Sequence, residues 1–169
     1  HLKPGMFVVG GDSHSPTGGA FGCYMFGVGA TDMAGVLVTG ETWIRVPETI
    51  RIDWSGTLPR GSSAKDMMLK LCATLGMDGG DYQAVEYTGS TIAGLSMTER
   101  MTMSNMAAEL GAQAGLIAAD GTTADYIRAA GADPDEGTAF AGDEDAAYRV
   151  VHKFDASALG PQVAAPDSP

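Results

Sequence analysis

The sequence predicts a layered α/β fold in which strands alternate with helices. Three observations carry that expectation. Short apolar or alternating runs are bounded by Gly, Pro and Asp, as strands are. Between them lie segments whose apolar residues recur at helical spacing. Two of those segments open as capping boxes, Ser63 with Asp66 and Ser96 with Glu99, although Asp66 stands where Glu or Gln is usual.

In chain order, Met6–Gly10 (MFVVG) reads as a buried strand. Ser15-Pro16 supplies a helix cap and first position. Residues 20–39 are apolar and rich in Gly and Ala, and part of this stretch is expected to form a tightly packed helix. Thr49–Trp54 alternates, with Ile50, Ile52 and Trp54 on one face of a half-buried strand. The Ser63 box opens a helix to about Leu75, with Met68, Leu71, Cys72 and Leu75 at helical spacing, and Gly76 ends it. Ala84–Thr88 (AVEYT) is a strand. The Ser96 box opens a helix through about Ala112, and Leu116–Ala119 is a short strand. Thr122 caps a helix through Ala130 that Gly131 closes. Residues 132–146 form an acidic surface loop, Tyr148–Phe154 reads as a strand or a short helix, and the tail is extended and Pro-rich. The chain divides into residues 1–45, 46–131 and 132–169.

The 169 residues suffice for one domain or two small subdomains, and 44% hydrophobic residues allow a sizeable core. A formal net charge of -11 argues against nucleic acid and anionic membranes as partners, since both are polyanions. Small anionic substrates respond to local charge and stay open. Cys23 and Cys72 form no C-x-x-C pair and read as buried small hydrophobes of a reduced, cytoplasmic protein. No run reaches the length of a membrane span and no signal peptide is visible. Because it begins with His1 rather than Met, the chain reads as a fragment, a processed product or part of a longer polypeptide.

Two constellations could carry chemistry. In GGDSHSPTGGAFG, residues 10–22, Asp12, Ser13 and His14 can accept a proton, bind a substrate oxygen and donate a proton. Three neighbours share a pocket only on an irregular turn, and the turn after a strand is where α/β folds bind ligands. The glycines at 10, 11, 18, 19 and 22 would let backbone approach a ligand. Taken alone, a polar turn is the simpler reading, because Asp and Ser are common turn residues. In SNMAAE, residues 104–109, Asn105 and Glu109 share a helix face with Met101, Ala108 and Ala112. On spacing alone an exposed stripe is the simpler reading. If that face is buried, Glu109 needs a partner, and His14 is the candidate among three histidines. His1 and His152 receive no role, and Glu86 reads as a solvent-facing strand position. GVGATD at 27–32 is too loose for a dinucleotide fingerprint, and no phosphate-binding G-K-[ST] occurs.

Taken together, GGDSHSPTGGAFG, FGVGATDMAGVL and LSMTERMTMSNMAAELGAQAGLIAADGTT resemble the aconitase and 3-isopropylmalate dehydratase large-subunit family. The weaker SSAKDMMLKL and the terminal GPQVA fit the same order, so the resemblance runs from about Pro4 to Val163. It implies an aconitase-type layered α/β fold. It also implies a hydro-lyase that interconverts hydroxy di- or tricarboxylic acids through an alkene at a [4Fe-4S] cluster. The resemblance assigns Asp12 to a histidine outside this chain, Ser13 to substrate, His14 to a pair with Glu109, and Asn105 to a hydrogen bond with the cluster. Residues 1–45 would be the end of a first α/β domain, 46–131 a second subdomain, and 132–169 a connection toward a further domain.

The family's cluster cysteines come from an S-C-T-N segment and a later C-x-x-C, and neither occurs here. Cys23 and Cys72 do not match ligand positions, and Ser104, where the family often has Cys, is not taken as a ligand. No cluster is therefore expected on this chain alone. The implied partners are a small hydroxy-carboxylate substrate, the rest of the large subunit, and a swivelling domain or small subunit carrying the serine base. The chain alone is expected to be inactive. The competing reading is a cluster-free, stand-alone binding or assembly module of the same fold. A third is a metal-independent enzyme using Asp12, His14 and Glu109.

Overall fold

The computed structural model describes residues 1–134 and 141–166. Two parallel sheets organise the chain. The first pairs β1 (Phe7–Gly10) with β2 (Tyr24–Gly27), Phe7 opposite Tyr24. The second has strand order β5-β4-β3-β6, all parallel. Its members are β3 (Thr49–Ser55), β4 (Ala84–Thr88), β5 (Ala114–Leu116) and β6 (Val150–Asp155). The helices are α1 (Ala30–Thr39), α2 (Ala64–Leu75), α3 (Ser90–Gly94), α4 (Met97–Asn105) and α5 (Gly121–Ala129). Strands thus alternate with helices in an α/β fold.

The core lies between the larger sheet and α2 and α4. Alternation in β3 buries Ile50, Ile52 and Trp54, and α2 answers with Met67, Met68 and Leu71, each fully enclosed. Burying each such side chain stabilises the fold by about 1.5–3 kcal/mol. Trp54 stacks on Phe154 of β6 at 4.8 Å, which fixes that segment as a strand on the sheet edge. Both capping boxes form, with Ser63 N–H donating to Asp66 at 2.7 Å and Ser96 N–H donating to Glu99 at 3.0 Å.

Several elements differ from the sequence expectation. Residues Ser15–Phe21 form a 3-10 segment, and the following YMFG run is strand β2, which is too short and glycine-bounded to show a period. The helix expected to be tightly packed within 20–39 is α1, and none of its residues is buried. Its small residues permit close approach, but no described element covers it, and Leu37, Val38 and nearby Trp43 are exposed. The α4 helix ends at Asn105 rather than near Ala112. Residues 106–110 continue as turns that close on Gly111, whose positive φ lets Ala112 N–H reach Ala107 O and Gly111 N–H reach Ala108 O. The fifth strand starts at Ala114, two residues before Leu116, because Gln113 N–H already donates to Gln83 O. Asp120, not Thr122, caps α5 by accepting from Thr123 N–H. Glu86 is half-buried and hydrogen-bonds the Tyr148 hydroxyl, which raises that phenol. Both cysteines are free and buried. Of the acidic 132–146 loop, residues 135–140 lie outside the described residues.

Two contacts fasten the elements that carry the site. The Arg100 side chain, 1% exposed, makes two 2.7 Å bonds to the Asp120 carboxylate and also donates to Leu95 O and Ala93 O. It therefore joins α4 to the start of α5 with its donors occupied by a carboxylate and two carbonyls. The second contact is between backbones. A Cβ on Gly19 would stand 1.8 Å from Gly115 O, and Ile117 N–H donates to Gly19 O at 3.1 Å. Tyr24 adds a hydrogen bond to Gln113, and burial pushes its phenol up to about 12.

Two outcomes test this arrangement. Gly19→Ala should destabilise the protein by at least about 3 kcal/mol, because the new methyl group meets backbone rather than a movable side chain. A urea midpoint within error of wild type would refute the contact. Asp120→Ala strands a buried guanidinium and should cost about 3 kcal/mol at neutral pH. Hydrogen bonds from Arg100 hold the Asp120 carboxyl below the usual carboxylate range. A depressed folded value means that its contribution is complete above about pH 4. The contribution is lost as pH falls through the lowered value, so the gap between wild type and D120A should shrink on acidification. A gap that widens in acid would contradict the pairing.

Candidate active site

The site begins where β1 ends. Gly10 leads into an irregular turn through Asp12, Ser13 and His14, and the 3-10 segment starts at Ser15 with Pro16 in its first turn. The turn closes on itself. The Asp12 carboxylate accepts from His14 N–H at 2.8 Å, and Ser15 Oγ donates to Asp12 O at 2.7 Å. His14 takes φ -97 and ψ 16, the bridge region that many active-site residues occupy. The turn also needs Gly27 of β2, because a Cβ there would stand 2.5 Å from Asp12 O. The glycines of this stretch therefore serve close approach within the chain itself: Gly27 accommodates Asp12, and Gly19 accommodates Gly115.

That docking carries the turn to the end of α4. His14 Nε2 lies 3.1 Å from Glu109 Oε1 although the two residues are 95 positions apart. Ser13 Oγ lies 3.0 Å from His14 Nδ1 on the exposed side. When ionised, a carboxylate can only accept, so Nε2 carries the hydrogen and Nδ1 is the nitrogen that faces Ser13 Oγ. The tautomer is assigned from these partners. Side-chain exposure is 40% for His14 and 28% for Glu109, so the pair is reachable from solvent yet partly shielded. Asn105 Nδ2 donates to Thr17 Oγ1 at 2.9 Å, and Thr17 Oγ1 donates to His14 O at 2.6 Å. One chain of hydrogen bonds thus joins the SNMAAE segment to the backbone of the DSH turn.

Of the residues singled out from sequence, Ser13, His14 and Glu109 form one linked row. Asn105 joins it through Thr17. Asp12 is exposed, and its carboxylate accepts from the His14 backbone. A depression of about 420 Å³ beside the row is lined by Thr17, Lys65, Thr98, Asn105 and Glu109, among others. Thr17, Lys65 and Thr98 had not been singled out. Thr17 was visible only as one polar residue of a Pro- and Gly-rich turn, and Lys65 only as an exposed position in the first turn of α2.

Among the described residues no group of three or more His, Cys, Asp or Glu could hold a metal ion. The Cys23 thiol donates to Lys3 O at 3.0 Å, and burial pushes it up to about 11. The Cys72 thiol is raised as well, first by burial and then by the charge of Glu109. Both are held as thiols rather than the thiolates that bind metal. Among the described residues no helix is long and apolar enough to cross a membrane.

Comparison with known proteins identifies the family. The model of the aconitase family (aconitate hydratase) matches residues 1–169. The chain is 44% identical over its whole length to the 3-isopropylmalate dehydratase large subunit 1 of Methanopyrus kandleri, covering 40% of that protein. It is 46% identical over 98% of its length to the probable methanogen homoaconitase large subunit of Methanothermobacter thermautotrophicus, covering 38%. It is 45% identical over 99% of its length to the 3-isopropylmalate dehydratase large subunit of Syntrophus aciditrophicus, covering 40%. The chain therefore spans about two fifths of the length of the curated relatives it matches. With DSH and SNMAAE brought together on a matching α/β frame, the chain belongs to the aconitase family.

Proposed function

We propose that this chain supplies one wall of the active site of a hydro-lyase large subunit resembling 3-isopropylmalate dehydratase. The substrate would be a hydroxy di- or tricarboxylic acid, dehydrated to an alkene and rehydrated. The observation that carries this reading is the His14–Glu109 contact, which joins two motifs far apart in sequence into a pair suited to proton transfer.

Glu109 holds the imidazole by Nε2 and fixes its tautomer. His14 then presents a proton from Nδ1 toward the side where Ser13 lies. A departing hydroxide that takes this proton leaves as water, and the reverse transfer accompanies rehydration. Ser13 Oγ, exposed beside His14 Nδ1, would hydrogen-bond the substrate hydroxyl or carboxylate, and Lys65, which lines the depression with Glu109, would favour an anionic substrate. The Thr17–Asn105 bond keeps the two motifs in register.

The [4Fe-4S] cluster that the family implies would supply Lewis-acid chemistry, held by cysteines outside this chain, with Asn105 as its neighbour here. Asp12, exposed beside His14, would pair with a histidine of the remaining large subunit. The swivelling domain or small subunit would complete the site. The setting would be cytoplasmic, with neither nucleic acid nor membrane as a partner.

In the complete enzyme, His14→Ala should lower kcat by about 10²- to 10⁴-fold. Tm should change little, because His14 is a partly exposed turn residue. A kcat equal to wild type would exclude His14 as the acid. Purified without air, the complete protein should contain iron and absorb broadly in the visible. A colourless, iron-free complete protein would instead favour a binding or assembly module.

A further inference from the structure

Glu109 has two oxygens, and the His14 contact uses one. Oε1 faces the rim, whereas Oε2 is buried and has no hydrogen-bond partner. A buried carboxylate oxygen without a donor is costly, and native structures rarely leave one so. Tyr87 of β4 presents the complementary case. The residue is 1% exposed, and its hydroxyl is buried without a partner. Its ring is wedged beneath the 104–107 turn, since a Cβ on Gly115 would stand 3.1 Å from the ring edge, 2.7 Å from Ala107 Cβ and 3.2 Å from Ser104 O.

The Gly115 contacts put the Tyr87 ring beside Ala107, two residues before Glu109, and the electrostatics agree. Burial raises the Tyr87 phenol far above its usual value, and the charges of Cys72 and Glu109 raise it further. Cys72, on α2, senses Glu109 in turn. Thus α2, β4 and the turn after α4 contribute the buried Cys72 thiol, the buried Tyr87 phenol and the buried Glu109 Oε2. A thiol is a weak donor, whereas a phenol is a strong one, so Tyr87 is the group suited to Oε2. Ser104 Oγ, in the last turn of α4, is also enclosed without a partner, and Ser104 O lies near the Tyr87 ring.

We infer that Tyr87 is a positioning residue for Glu109, its phenol donating through one buried water to Oε2, so that Oε1 is held toward His14. This inference rests on the acid–base reading of His14 and Glu109. The phenol fixes the rotation of the carboxylate, which in turn fixes the imidazole plane. Tyr87 touches neither substrate nor any reacting atom.

The test is a double-mutant cycle in the complete, cluster-loaded enzyme, with kcat, KM and Tm measured for wild type, Y87F, E109Q and the double variant. Y87F should lower kcat about ten-fold with KM within about two-fold, and should cause no further loss in the E109Q background. Wild-type kcat in Y87F, or losses that multiply in the double variant, would overturn the inference while E109Q alone is impaired. An E109Q enzyme as fast as wild type would overturn the acid–base reading beneath it. Should Y87F fail to fold, 4-aminophenylalanine and 4-fluorophenylalanine at position 87 both preserve the ring. Turnover restored only by the amino analogue, which keeps a donor, supports the inference, and equal turnover of the two refutes it.

Discussion

Everything at the site depends on one approach of backbone to backbone. Gly19 lies against Gly115 so closely that no side chain fits between them, and Gly19 O accepts from Ile117 N–H. The contact is short, directional and made by atoms that cannot rotate away. It fuses the small β1–β2 sheet to the edge of the larger one. His14 belongs to the first unit and Glu109 to the second, so their 3.1 Å separation is inherited from this join. The Thr17–Asn105 bond and the Tyr24–Gln113 bond reinforce it from either side. A proton-transfer pair such as the one proposed, on two separate pieces of scaffold, needs such stiffness, because small misplacements are costly in rate.

Charge is used sparingly inside this frame. Arg100 is buried, yet its partners are a carboxylate and two carbonyls, so its cost is offset locally. Glu109 is only half served, with one oxygen engaged toward the rim and the other turned inward. The first arrangement specifies a joint between helices. The second leaves one buried oxygen open to a neighbouring donor. The net charge of -11 says little about either, since both depend on contacts a few ångströms long.

Much of this frame was legible from the residues, and the exceptions share a cause. Alternation around Ile50, Ile52 and Trp54, and the two Ser-led boxes, are local signals that tertiary contacts reinforce. β2 was missed because four residues between glycines show no period. The end of α4 was placed late because the apolar pattern persists through turns that close on Gly111. Packing was expected around α1 because its composition suits close contact, and composition does not say what covers a helix. At the site, Asp12, Ser13, His14, Asn105 and Glu109 were all visible as candidates, but the pairing of His14 with Glu109 hinged on whether the SNMAAE face was buried. Thr17 and Tyr87 were not visible as site residues, because their significance lies in which buried atoms they face.

The order of the larger sheet has a kinetic consequence. β3 is a central strand, flanked by β4 and by β6. Its partner β6 arrives late: Thr57 and Ser157, which bond beside this pairing, are 100 positions apart. During synthesis β3 and β4 can pair early, while the other edge of β3 stays open until nearly the end of this stretch has emerged. Closing so long a loop in a parallel sheet is slow relative to local helix formation. For that interval the open edge of β3 is exposed to wrong pairing, and β6 seals it, with the charged residues Lys153 and Asp155 flanking Phe154 on the new edge strand.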